Sequence, residues 1–251
     1  MERIDAFPFY VENFHVDFSG RLFPSLLGNC LLNAAGRHAE RRGWGVTELC
    51  REHRAWVLSR LCLEMEEMPQ RFETVEIRTW VECVFKMFTN RNFAILRSDG
   101  TAYGYARSVW AVIDMETRRP CDLQTLYGGD LQQYVVPDEE NLCPIAGHGH
   151  FRFRDAQKVR TLEACYSDVD VNGHVNSVKY IEHILNLFPG ERYRSCRLHR
   201  FEIAYKAESY LGDVLGFWLQ QPEENKFEVE VRKDNSDVVC QARVEFVPIS
   251  K

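Results

Sequence analysis

The sequence predicts an α+β fold built twice over, and three observations carry that prediction. A strand, a long amphipathic helix and a run of strands occur in that order before residue 135, and again after residue 158. The segment LSRLCLEMEEMPQRFETV at 58–75 can be laid on LHRFEIAYKAESYLGDVL at 198–215, matching Arg60 with Arg200 and Glu73 with Asp213. ARSVWAVI at 106–113 likewise resembles ARVEFVPI at 242–249. An internal duplication accounts for all three, each helix burying its apolar stripe against a curved antiparallel sheet and the two sheets joining edge to edge.

The elements follow from residue spacing. FPFYVENFHVDF at 7–18 is strand-like. In 24–42, Leu27, Cys30, Leu31, Ala34 and Ala35 recur at three- and four-residue steps, and an Arg-rich end is closed by Gly43. Strand-like runs follow at 55–66, 73–84, 90–98 and 101–114, with the Asp99-Gly100 turn between the last two. Pro137, Pro144, Gly147 and Gly149 break the periodicity between 135 and 160. The expected division is therefore an N-terminal domain at 1–134, a linker at 135–158 and a C-terminal domain at 159–251. In the second domain, KVRTLEAC precedes a helix whose stripe is Val175, Val178, Ile181, Ile184, Leu185 and Phe188, ended by Pro189-Gly190. Strands are expected at 197–207, 212–221, 226–233 and 237–247. In KFEVEVRK, Phe227, Val229 and Val231 alternate with charges, as a sheet with one covered face requires.

A chain of 251 residues, 45% hydrophobic and 27% charged, buries a sizeable core. Its net charge of −6 opposes general affinity for nucleic acid or an anionic membrane. The N-terminus carries charges among its apolar residues and shows no signal peptide, transit peptide or spanning segment, so a cytoplasmic protein is expected. Nine scattered cysteines without a CxxC pair read as free thiols. His148, His150 and Cys143 in CPIAGHGH lack zinc-ligand spacing, so neither a metal nor a cofactor is expected. No Gly-rich phosphate loop, GxSxG elbow or HExxH is present.

Three segments carry a family resemblance. DVDVNGHVNSVKYIEHIL at 168–185 is close to the Asp-x-Asn-x-His-Val-Asn-x-x-Lys-Tyr-Ile signature of the acyl-acyl carrier protein thioesterases. RSVWAVIDMETRRP at 107–120 is similar to that family's Ser-Val-Trp and Thr-Arg-Arg segment, and AYKAESYLGD at 204–213 falls where the family has Tyr-x-x-Glu-Cys. The resemblance implies a tandem (double) hotdog, a pseudo-dimer within one chain, and hydrolysis of acyl-acyl carrier protein to free fatty acid. It places the catalytic group on Asp170, Asn172, His174 and Glu208. The family cysteine is Ser209 here, an auxiliary candidate that attacks only if a base takes its proton, so a route without an acyl-enzyme is favoured.

If the helix begins near Asn172 to Val175, its first N–H groups lack intrahelical partners and offer donors to a thioester oxygen. Glu208 is then the general base for water, and His174 shuttles the proton to the leaving thiolate. Asn172 orients water or carbonyl, and Asp170 holds the Asn or His in place. Against this stands the ordinary reading of Asp and Asn ahead of a helix as caps. The N-terminal half lacks the set, with Met68-Pro69 where the repeat puts Glu208-Ser209. In the family it lines the acyl tunnel, for which Leu26, Leu27, Leu31 and Trp56 are candidates. An acidic carrier protein needs a local basic face. Arg37, Arg41 and Arg42, FRFRDAQKVR at 151–160 and ERYRSCRLHR at 191–200 are the candidates. An acyl-CoA thioesterase and a non-catalytic acyl-binding protein are the competing readings.

Overall fold

The computed structural model describes residues 2–249. The chain divides into two compact units, the first running to Leu61 and resuming at Met68–Gly147, the second made of Cys62–Glu67 and everything from His148 onward.

In the first unit, β1 (Asp5–Tyr10) is followed by a 3-10 turn at Asn13–His15, α1 (Pro24–Glu40) and a short α2 (Val46–Arg51). Strands β2 (Arg54–Met65), β3 (Thr74–Val84), β4 (Thr89–Leu96) and β5 (Ala102–Asp114) complete it, in the order β1-β3-β4-β5-β2. Pro24 at the first helical position loses no hydrogen bond there, which lets α1 start abruptly. The helix buries Leu27, Leu31, Ala34 and Ala35 of the expected stripe, whereas Cys30 is only half-buried and Ala39, one turn further on, joins the covered face. The expected strand over 7–18 is interrupted: pairing with β3 ends at Tyr10, and the chain turns through Asn13–His15 with His15 Nδ1 accepting the Glu12 N–H at 2.9 Å.

In the second unit, β6 (Gln157–Glu163) leads through a 3-10 turn at Tyr166–Asp168 to α3 (Ser177–Leu185) and α4 (Gly190–Ser195). β7 (Cys196–Tyr205), β8 (Val214–Glu223), β9 (Lys226–Lys233) and β10 (Asp237–Pro248) follow, in the order β7-β10-β9-β8-β6. α3 buries Val178, Tyr180, Ile181, Ile184 and Leu185. Each large apolar side chain so covered contributes roughly 1.5–3 kcal/mol, which holds the helix against the sheet. Phe188 follows, packed edge-on against Phe227 and Phe246.

The helix does not begin near Asn172 as expected. Its N-cap is Asn176, whose side chain accepts the Val178 N–H at 3.1 Å, so the first helical residue is Ser177. Asp170 and Asn172 are therefore not its caps. Removing the Asn176 cap by Asn176→Ala is expected to lower unfolding free energy by about 1 kcal/mol, read as a drop in thermal midpoint. The sequence does not announce α2 and α4, each too short at six residues to show a helical period, nor the 3-10 stretch at Leu126–Tyr134, whose Gly128 and Gly129 interrupt any apolar stripe.

Candidate active site

The polar residues ahead of α3 form a tight turn of their own. The Asp170 carboxylate, through Oδ1, accepts the backbone N–H groups of Asn172 at 2.8 Å and His174 at 3.4 Å. The Asp170 N–H donates to the His174 carbonyl at 2.9 Å, and the Gly173 N–H to the Asp170 carbonyl at 3.0 Å. Gly173 sits at φ +81°, a left-handed conformation that glycine adopts without a Cβ clash. The turn is thus closed by one carboxylate and one glycine.

The turn is docked on the segment between β7 and β8. The Val175 N–H donates to the Ser209 carbonyl at 2.7 Å, and His174 forms an antiparallel bridge with Tyr210. On the other side, the Asn176 N–H donates to the Asp168 carbonyl at 2.8 Å. These main-chain contacts bring two side chains together. His174 Nε2 lies 3.5 Å from Glu208 Oε2, both partly open to solvent. The Tyr210 hydroxyl donates to the same Glu208 oxygen at 3.3 Å, and its ring stands edge-on to the His174 ring at 5.2 Å. The contacts are longer than a tight charge-assisted hydrogen bond, as is common for proton-transfer groups before substrate is bound.

The candidate residues are thus placed as follows. His174 and Glu208 face one another. Among the described residues Asp170 makes no hydrogen bond to either side chain and holds the backbone of both Asn172 and His174. Asn172 is exposed, and its side-chain amide has no hydrogen-bond partner among the described residues. Ser209 is fully buried, with no hydrogen-bond partner for its hydroxyl. The Tyr180 hydroxyl nearby is also buried without a partner at hydrogen-bonding geometry, and burial raises its pKa well above the usual phenol value. Among the described residues no histidine or carboxylate is hydrogen-bonded to the Ser209 hydroxyl.

Two residues at the site escaped the sequence reading. Asp168, buried, accepts the Cys165 N–H at 2.9 Å and pairs with His183 Nε2 at 2.8 Å, pinning the start of the turn to α3. Fifteen residues separate that pair, so no local motif announces it. Tyr210 was the other; its place next to Glu208 was visible only once the bridge to His174 had set the register.

The first unit repeats the turn without the histidine and glutamate. Asp17 Oδ1 accepts the N–H groups of Ser19 at 2.7 Å and Arg21 at 3.2 Å, and Gly20 sits at φ +79°. The Leu22 N–H donates to the Pro69 carbonyl at 2.8 Å, as Val175 does to Ser209. Ser19, Arg21 and Met68 thus stand where the second unit has Asn172, His174 and Glu208. Of the tunnel candidates, Leu27 and Leu31 are fully buried core and Leu26 is half-buried. Trp56 lines a pocket of about 180 Å³. Among the described residues no group of His, Cys, Asp and Glu gathers to hold a metal ion, and no helix is long and apolar enough to cross a membrane.

A helix against an antiparallel sheet, occurring twice in one chain with one polar turn retained and one reduced, defines a double-hotdog protein. The chain belongs to the acyl-ACP thioesterase family: its N-terminal domain model matches residues 7–127 and its C-terminal domain model residues 153–248. The crystal structure of an acyl-ACP thioesterase from Bacteroides thetaiotaomicron is 49% identical, with a TM-score of 0.92 over 98% of both chains. The 12:0-ACP thioesterase from Umbellularia californica shares the fold at a TM-score of 0.83, with 21% identity over 99% of both chains. Oleoyl-acyl carrier protein thioesterase 1 of Arabidopsis thaliana is 27% identical over 82% of this chain and 61% of its own length. For the acyl-[acyl-carrier-protein] hydrolase FATB3 of Cuphea viscosissima the values are 29%, 69% and 43%. The chain therefore spans only about 43–61% of the length of these curated relatives.

Proposed function

We propose that the chain hydrolyses the thioester of an acyl-acyl carrier protein and releases a free fatty acid, with the chemistry in the second unit. The observation that carries this reading is the His174–Glu208 pair at 3.5 Å, held on a turn that Asp170 closes. Glu208 takes a proton from water as the water oxygen bonds to the thioester carbon. Glu208 passes that proton to His174, 3.5 Å away, which gives it to the thiolate as the tetrahedral intermediate collapses, so that thiol and carboxylic acid leave and both side chains return to their starting states.

The developing oxyanion needs a donor, and one preorganised donor contributes roughly 2.7–4 kcal/mol. The helix end is a poorer source than its sequence suggested, because Asn176 already engages the N–H groups of Val178 and Lys179. The Asn172 backbone N–H is engaged by Asp170. The exposed, unpartnered Asn172 side-chain amide supplies the donor. Ser209 takes no covalent part, since its hydroxyl is buried away from any base.

The domain assignment follows the same logic: the first unit, with Ser19, Arg21 and Met68, is non-catalytic. Turnover of acyl-acyl carrier protein and acyl-CoA of equal chain length tests the reading. Faster release from the carrier protein is expected. Preference for the coenzyme A ester would make the chain an acyl-CoA thioesterase, and binding without turnover of either would make it an acyl-binding protein.

The carrier's acidic surface is assigned to the linker arginines. Arg152 and Arg154, with His150 and Arg243, line an open groove of about 660 Å³ in the second unit. Short-range pairing there offsets the repulsion of two acidic proteins. Reversing charge in an Arg152→Glu/Arg154→Glu variant is expected to raise KM for the carrier-bound substrate about tenfold, with kcat little changed. The salt dependence of KM should weaken in the same variant. An unchanged KM and salt slope would remove the docking assignment.

A further inference from the structure

The first unit contains a buried cation that makes no ion pair among the described residues. Arg91, on β4, is 4% exposed. Its one hydrogen bond runs from Nη1 to Thr79 Oγ1 at 3.1 Å, and it makes no ion pair among the described residues. The nearby carboxylate, Asp5, is taken by Arg42 at 2.9 Å and Arg41 at 3.2 Å. Burial, helped by the Arg42 charge, pulls the Arg91 pKa down to about 9, which still leaves it cationic at neutral pH.

The space in front of Arg91 is the pocket of about 180 Å³ that Trp56 lines. Its other walls include Trp44, Trp110, Ala35 and Ala39. The Trp44 ring lies 5.8 Å from the guanidinium carbon, and the Trp44 Nε1–H is itself buried without an acceptor. One cation–π contact returns only ~0.5–2 kcal/mol, whereas an unpaired buried ion costs several kcal/mol. A pocket meant for plain hydrocarbon would be better served by an apolar residue at position 91. A methyl end pressed against the guanidinium would strip its water and give nothing back.

We infer that this pocket is a binding site for an aliphatic carboxylate, with the carboxylate on Arg91 and the hydrocarbon against the indole walls. A carboxylate presents two acceptor oxygens to the guanidinium fork, and its charge offsets that of Arg91. The pocket is smaller than the roughly 300–1,000 Å³ of a drug-sized site, so it takes the carboxylate end and the first part of the chain. The inference concerns the first unit alone and stands whether or not the second unit hydrolyses thioesters.

Three of the five tryptophans line the pocket, so intrinsic fluorescence reports its occupancy. Titration of the full chain with sodium decanoate and with 1-decanol is the test. Wild-type protein should bind decanoate at least tenfold more tightly than decanol, and Arg91→Met should abolish that preference while still binding decanol. Gly36 lines the same pocket on α1, and a Cβ there meets nothing within 4 Å. Gly36→Phe therefore obstructs the pocket with Arg91 intact, and both ligands should be lost. Equal affinity for the two ligands in wild-type protein, or decanoate binding that survives in Arg91→Met or Gly36→Phe, overturns the inference. If Arg91→Met fails to fold by circular dichroism, Gly36→Phe decides alone.

Discussion

Glu208→Gln is expected to lower kcat for thioester hydrolysis by ~10²–10⁴-fold, the usual contribution of a positioned general base. KM should stay within about threefold of wild type, because the base acts on water and adds little to ground-state binding. The substitution keeps shape and an acceptor oxygen for the Tyr210 hydroxyl, which lies 3.3 Å from Glu208, so the turn is not disturbed. Base removal should outweigh removal of the acid. The leaving group is a thiol of pKa near 8.5, so its thiolate departs readily near neutral pH, whereas water, with a pKa near 15.7, needs help to lose its proton. His174→Ala should therefore lose less rate than Glu208→Gln, about 10²-fold. Ser209→Ala should leave the rate within about threefold, since removing a buried, unpartnered hydroxyl takes away no made hydrogen bond. Near wild-type turnover in Glu208→Gln, or loss confined to Ser209→Ala, would falsify the assignment of the base.

The fold was readable because both units obey simple periods. β9 alternates apolar and charged side chains, although Glu228 and Glu230 are buried too, so that both its faces are covered rather than the expected one, and α1 repeats its apolar residues at three- and four-residue steps over about three turns. The site was readable as a set of residues and misread in its backbone. Asp170 and Asn172 have the chemistry of helix caps, and nothing local distinguishes a carboxylate that caps a helix from one that closes a turn six residues ahead of it. Asn176 was the cap, hidden within the same polar run. The degenerate turn at Asp17 went unread for the complementary reason. Its geometry requires only an aspartate and a glycine, and the Asn and His that make the motif recognisable are Ser19 and Arg21 there. Arg91 carried no signal either: one arginine beside Asn90 and Asn92 at the polar end of β4 looks solvated, and it shows its lack of an ion pair only once the neighbouring carboxylates are placed.

The duplicated turn separates what holds the site from what reacts in it, through Asp170→Ala set against Asp17→Ala. Each carboxylate accepts two backbone N–H groups, and Asp17 also accepts the Ser19 hydroxyl at 2.6 Å. Hydrogen bonds to a charged group contribute roughly 1.5–3 kcal/mol, less here because the exposed amides regain water. Both alanine variants should therefore lose about 1–3 kcal/mol of stability, seen as similar drops in thermal midpoint. Only Asp170→Ala should lose rate, because its turn alone carries His174 to within 3.5 Å of Glu208. Misplacement by about 1 Å costs on the order of 10² in rate. Asp170→Asn discriminates further: its Oδ1 can still accept both N–H groups but carries no charge. Recovery of both stability and most of the rate would mark Asp170 as a positioning residue. Recovery of stability without rate would mean that its charge acts on the chemistry itself, and equal rate loss in Asp17→Ala would show that the two turns are not functionally distinct.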